Sequence, residues 1–258
     1  MLTSKEELAQ FLHELRTNYV PSVSIDLVIF GFHEGQLKVL LLRVLSSDAW
    51  WLPGGRIKNR ENLDEAAYRS LRERTGLTEV FLQQFHTFGD LERNTYYAIG
   101  ETLVKLGASL EDVGGLPGRD VSVGYYALVE YTKVDPRPDL FSEESRWWNV
   151  DEVPRLLFDH NAMIALALKT LRRQLSYQPI GYNLLPEKFT MPQLQQLYET
   201  ILGRPLDRRN FQKRMLAYDI LERLEERKPI GPHKAPYLYQ FNLTNYRKAL
   251  AEEQLFID

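Results

Sequence analysis

Arg208, Arg209, Gln212 and Lys213 stand within one short stretch in which Phe211, Met215 and Tyr218 recur at helical spacing. A helix there turns the three apolar residues inward and leaves the four polar ones outside, near its start. Arginine suits guanine and glutamine suits adenine, whereas lysine more often neutralises phosphate. Such a helix start has the chemistry to read double-stranded DNA. The preceding segment supports it. Thr190 and Gln193 have the spacing of a capping box with Pro192 in the first turn, and Leu194, Leu197, Tyr198 and Ile201 form one buried stripe. Gly203-Arg204-Pro205-Leu206 then breaks the chain, and Asp207 can cap the next helix. Helix, tight turn and polar-fronted helix make a helix-turn-helix. Beyond Ile220, residues 224–241 read as a hairpin whose tip carries Lys228 and Lys234, a basic wing. The competing reading is a helical dimerisation appendage with an ordinary solvated basic face.

A second constellation lies at 54–77. Gly55, Glu61, Arg69, Leu71, Glu73, Gly76 and Leu77 match, at the correct spacing, the Nudix box, a loop–helix–loop signature that the segment resembles. The resemblance implies hydrolysis of nucleoside diphosphates linked to another moiety, with three carboxylates on one helix face holding a divalent metal. In this chain those positions are Ser70, Glu73 and Arg74. They share a helix face, yet only Glu73 offers a hard oxygen ligand. At an effective dielectric of about 20, unit charges about 4 Å apart interact by roughly 4 kcal/mol, so Arg74 would repel a divalent ion strongly. The box is degenerate: no catalytic residue and no metal or cofactor is expected from it. Glu61 and Arg69 can still pair, and Gly76 can end the helix in a left-handed conformation.

Around these sites the chain alternates in character. Residues 4–16 have an amphipathic helical pattern. Val23–Phe30 and Leu37–Val44 read as two strands joined through His33-Glu34-Gly35, a hairpin. Residues 62–75 and 159–175 are helical, Val80–Phe88 and Val121–Tyr131 strand-like, and Arg146–Val150 a further short strand. Glycines 107, 114, 115 and 118 mark a long insertion between 89 and 120. Tyr177-Gln178-Pro179-Ile180-Gly181 is the best linker, which divides the chain into 1–176 and 177–258. Hairpin strands mixed with helices imply an α/β sandwich around a mixed sheet.

Composition excludes several classes. There is no cysteine, hence no disulfide, thiolate zinc site or cysteine nucleophile, in keeping with a cytoplasmic protein. No apolar run approaches the roughly 18 residues that span a bilayer, and the charged N-terminus does not read as a signal peptide. The net charge is −3, but residues 181–248 hold 12 Lys/Arg against 7 Asp/Glu, leaving residues 1–180 at −5. An acidic front and a basic rear suit different partners. His160, beside Asp159 at a helix start, reads as a structural hydrogen-bonding residue, and Trp50, Trp51, Trp147 and Trp148 as core or dimer-interface residues.

Residues 184–215, together with 121–128 and Phe158-Asp159-His160, resemble Nudix-related transcriptional regulators, in which a Nudix-like domain precedes a winged helix. The likeness runs over nearly all of residues 20–248. It implies a Nudix-type α/β/α sandwich followed by an α+β winged-helix domain, assembled as a homodimer on a DNA operator. It further implies a small effector, either a sugar or an ADP-ribose-like metabolite. Arg56, Arg93 and Arg119 have the chemistry to contact its phosphate or hydroxyl groups. Two other readings compete: an active hydrolase cleaving a substrate such as ADP-ribose, and an inert scaffold binding another protein.

Overall fold

Glu34 and Gly35 take positive φ values of 50° and 75°, the pair of conformations that a two-residue hairpin turn requires. They join β1 (Val23–His33) to β2 (Gln36–Val44). Both belong to a computed structural model that describes residues 22–45, 47–78, 80–91, 93, 104, 120–139, 141–175, 181–228 and 235–251. The expected helix at 4–16, nearly all of the 90–119 insertion and residues 177–180 of the linker lie outside them.

β1 is central. It runs antiparallel to β2 and parallel to β6 (Val121–Val129), and β5 (Phe81–Phe88) follows on the far side of β6. β3 (Trp50–Trp51) and β7 (Ser142–Asn149) pair with β2, and β4 (Gly54–Arg56) pairs with the start of β1. The mixed sheet matches expectation. The strand expected at 146–150 is longer and begins at Ser142, because it follows β2 for most of that strand's length.

Alternation along β1 sends side chains to two layers. Ile25, Leu27 and Ile29 meet Ala66, Ala67 and Leu71 of α1 (Leu63–Thr75). Asn62 and Glu65 form the capping box of α1, and Gly76 closes it at φ 74°. On the other face Val28 and Phe30 meet Met163, Ile164, Ala167 and Leu171 of α2 (His160–Gln174).

The second apolar layer does not stop at α2. It continues into Leu194, Leu197 and Ile201 of α3 (Met191–Leu202), then Phe211 and Met215 of α4 (Arg208–Ala217). A small sheet completes this C-terminal part, in the order β8 (Phe189–Thr190), β10 (Tyr237–Phe241), β9 (Leu221–Arg227). The extended Thr190 that caps α3 therefore also pairs with Leu238. β9 starts three residues before the expected hairpin, and α5 (Leu243–Ala251) follows it, a helix that the sequence reading did not anticipate. The arrangement is an α/β/α sandwich followed by a winged helix.

Candidate functional site

Where β4 lies against the start of β1, the chain leaves a cavity of about 260 Å³ closed on one side by the start of α2. Its polar lining comes from distant parts of the sequence. Asp26 sits in the middle of the apolar β1 and accepts hydrogen bonds from Ser122 Oγ (2.6 Å) and Arg93 Nη2 (2.8 Å). The other arm of Arg93 reaches Asp159, immediately before α2. His160 accepts the Leu52 amide at Nδ1 (2.9 Å), which leaves its proton on Nε2, 3.7 Å from Asp26 Oδ1. Burial alone would raise the Asp26 carboxyl; the nearby His160 imidazole, then Arg93 and the Ser122 hydrogen bond, outweigh it and hold the group well below the usual carboxylate range.

The other cavity arginines are paired as well. Arg56 lies 2.8 Å from the buried Asp120, and Arg74 lies 3.7 Å from Asp139. Trp51, Phe141 and Phe158 supply aromatic wall. Of the four tryptophans Trp50 and Trp51 are buried, and Trp147 and Trp148 are half-buried. His160 makes a hydrogen bond, as expected of it, and also lines the cavity. Arg56 and Arg93 both line the cavity, while Arg119 lies outside the described residues.

The box keeps its frame. Arg69 holds Glu61 through two hydrogen bonds of 2.6 and 2.9 Å and ties the Arg56 carbonyl at 2.7 Å. The Arg69 hydrogen bond is the main reason that the Glu61 carboxyl is lowered to about 2. Ser70 is fully buried beneath Gly55, where a Cβ would lie only 2.7 Å from Ser70 Oγ, so position 55 has no room for a side chain. Glu73 faces Arg69 at 3.3 Å, and Arg74 turns to Asp139. A divalent cation does not fit this donor set: one carboxylate, already facing a guanidinium, stands beside a buried hydroxyl and an arginine. Among the described residues no group of three His, Cys, Asp or Glu could hold a metal.

The C-terminal part is arranged differently. Thr190 and Gln193 cap α3 reciprocally, Gly203 turns the chain at φ 68°, and Asp207 accepts the Asn210 amide at 2.9 Å to start α4. Phe211 and Met215 are buried. Arg208, Arg209 and Lys213 are exposed and Gln212 half-buried, and none of the four has a side-chain partner among the described residues. Lys228 is exposed at the end of β9, and Lys234 lies outside the described residues.

Sequence reasoning missed two groups. One is the Asp26, Asp120 and Asp159 set around the cavity. Its single local signal is an aspartate inside an otherwise apolar strand; the rest is assembled by strand pairing. The other is a stack in the wing: the Arg223 and Arg227 guanidiniums lie 4.7 and 4.0 Å from the Tyr237 ring centroid. Neighbouring Glu222 and Glu226 are taken by Gln240 and Lys188 at 2.8 and 2.7 Å, leaving both arginines without a carboxylate partner among the described residues.

Comparison with known proteins bears on both sites. The NUDIX domain model matches residues 20–167, and the NrtR DNA-binding winged helix domain model matches residues 181–241. The ADPR responsive transcriptional repressor NtrR of Acinetobacter baylyi is 29% identical over 233 residues, covering 88% of this chain and 84% of its own. Shewanella oneidensis NrtR, crystallised with a 27mer DNA, superposes with a TM-score of 0.68 at 26% identity, covering 87% of this chain and 95% of that one. A MutT/nudix family protein of Enterococcus faecalis shares the fold at a TM-score of 0.63 and 23% identity, covering 94% of this chain and 100% of that one. Among the described residues no helix is long and apolar enough to cross a membrane.

Proposed function

Because the chain belongs to the Nudix family and carries a DNA-binding winged helix of the NrtR type, we propose that it is a ligand-responsive transcriptional regulator whose Nudix cavity senses a metabolite. Residues 1–176 form the sensor and 177–258 the reader, and the protein acts as a cytoplasmic homodimer on a two-fold operator. The observation that carries the reading is the exposed face of α4. Arg208, Arg209 and Lys213 have no partner there among the described residues, while the arginines of the cavity all have aspartates. The wing adds Arg223, Arg227 and Lys228 as cations for the DNA backbone.

The effector is rich in hydroxyl groups, and two classes are supported by different observations. The Acinetobacter relative is named for its response to ADPR, which favours an ADP-ribose-like ligand. The lining favours a neutral sugar: Arg56, Arg74 and Arg93 are each engaged by an aspartate. A diphosphate must displace one of those carboxylates, whereas sugar hydroxyls can bridge the pairs. The test is anisotropy of a labelled upstream DNA duplex, titrated alone, with ADP-ribose, and with neutral pentoses and hexoses. One class should change DNA affinity by about fivefold or more, as a coupling free energy of 1 kcal/mol or above requires. Failure of the protein to bind that DNA sinks the reading, and binding that no ligand alters sinks the sensor half of it.

Hydrolysis is not part of the reading. With Mg²⁺ or Mn²⁺ and ADP-ribose the protein should show negligible turnover; a rate in the ordinary enzyme range of about 1 s⁻¹ or more would overturn this.

A further inference from the structure

α2 touches the cavity at one end and the helix-turn-helix at the other. At its start, Asp159 is bonded to Arg93, and His160 is fixed by the Leu52 amide. Fifteen residues of helix span about 22 Å. Near its end, Arg172 Nε donates to the carbonyl of Ile201 at 2.7 Å. Ile201 sits in the last turn of α3, just before the left-handed Gly203 that sets the direction of the chain towards α4. The bond also places a cation at the negative end of the α3 dipole.

Two further contacts define how movement would pass. Gln174 pins the end of α2 to the sheet: Tyr126 Oη donates to Gln174 Oε1, and Gln174 Nε2 donates to Gln83 Oε1 at 2.6 Å. Residues 172 and 174 are about 200° apart around a helix of 3.6 residues per turn, so Arg172 projects from the side opposite the pin. Meanwhile α3 is held against the β1–β2 turn, where Thr200 Oγ1 donates to the Gly35 carbonyl at 3.0 Å. The Gln196 side chain of the same helix also lies over Gly35. The last turn of α3 thus rests between the β1–β2 hairpin and the side of α2 that faces away from its pin.

We infer that α2 transmits the state of the cavity to the DNA-reading helix, with Arg93–Asp159 as its input contact and Arg172 as its output contact. The inference rests on the regulator reading above. A ligand hydroxyl or phosphate that takes over Arg93 releases Asp159 and the start of α2. Because the helix is packed along its length on Met163, Ile164, Ala167 and Leu171, a close-packed interior passes the change on as a small rigid displacement. Arg172 carries it to Ile201, and α4 changes its angle. Arg172 is a positioning residue, remote from both ligand and DNA.

The test uses the full-length protein without ligand or DNA, so its failure is separable from failure of the regulator reading. Hydrogen exchange over residues 197–211 is compared in the parent, Asp159→Asn, Arg172→Met and the double variant. Sites more than about 10 Å apart ordinarily behave additively. Asp159→Asn is expected to change exchange in that segment by about threefold or more in the parent, and to leave it nearly unchanged in the Arg172→Met background, a non-additivity that a local structural role of Arg172 would not produce. No change at 197–211 on breaking the cavity pair, or an equal change with Arg172 removed, overturns the inference. Arg93→Lys supplies the same input break should Asp159→Asn fail to fold. With DNA present, Arg172→Met should retain binding and flatten its response to the effector class that acts on the parent.

Discussion

The two functional regions treat arginine in opposite ways. In the cavity, Arg93 is buried between Asp26 and Asp159, and Arg56 and Arg74 each face an aspartate. On α4 and the wing, Arg208, Arg209, Arg223 and Arg227 have no acidic partner among the described residues. A buried guanidinium must be paired because the desolvation penalty of a lone ion is several kcal/mol, whereas an exposed one can stay hydrated until a polyanion arrives. The cavity therefore shows a closed charge pattern and the C-terminal face an open one. A closed pattern responds to a ligand by exchanging partners, an open one by gaining them.

The largest expected effect breaks the closed side. Asp26→Ala leaves Arg93 buried with only Asp159 and should cost about 3–5 kcal/mol of stability, read by urea denaturation. A loss below about 1 kcal/mol would mean that water reaches Arg93 and that the pattern is not closed. The same contrast predicts the pH response. The carboxyl of Asp26 is lowered in the folded state, so its contribution is present at neutral pH and is lost only as pH falls through the folded value, in strong acid.

On the open side the cost appears in binding. Arg209→Ala or Gln212→Ala should weaken cognate DNA by about 1–3 kcal/mol and random DNA less. Lys213→Ala, or Arg227→Ala in the wing, should weaken both alike and lower the log–log salt slope by about 0.9 per lost contact. A change at these α4 positions should not shift the unfolding midpoint. Should it do so, these side chains are structural and the two regions are not opposites.

Smaller effects test the frames that carry each region. Asp207→Ala removes the side-chain acceptor for the Asn210 amide at the start of α4 and should cost about 1 kcal/mol of stability. In the box, Glu61 has a folded value of about 2 against an ordinary 4.5. Its contribution is complete above pH 4.5 and disappears as pH falls towards 2, so Glu61→Gln should flatten the stability–pH curve within that window and leave the neutral-pH slope alone. A curve that keeps its shape would show Glu61 and Arg69 to be decoration on an already rigid loop.

Much of this was legible along the chain because the signals are local. The turn at Glu34-Gly35, the Thr190–Gln193 capping box, the Asp207 cap and the left-handed Gly76 each depend on residues within four positions of one another. So does the make-up of the box, in which Ser70, Glu73 and Arg74 lie within about one turn of helix. The exposed start of α4 follows from the same short period. Local rules of spacing and capping decide these features before any tertiary contact forms.

The cavity was not legible in that way. Asp26, Arg93, Asp120 and Asp159 meet only because β1 pairs with β4 and β6 and because α2 begins against them. The Arg223–Tyr237–Arg227 stack similarly needs β9 and β10 in register. Nor does any local pattern announce that Arg172 will reach Ile201, or that Thr200 will find the Gly35 carbonyl. Spacing along the chain determined the helices, the caps, the exposed polar face of α4 and the placing of Ser70 and Arg74 beside Glu73 on one helix face. The packed structure alone decided which charges close on one another and which stay open, because around Arg93 that depends on partners 66 and 67 positions away in sequence that only the fold brings within hydrogen-bonding distance.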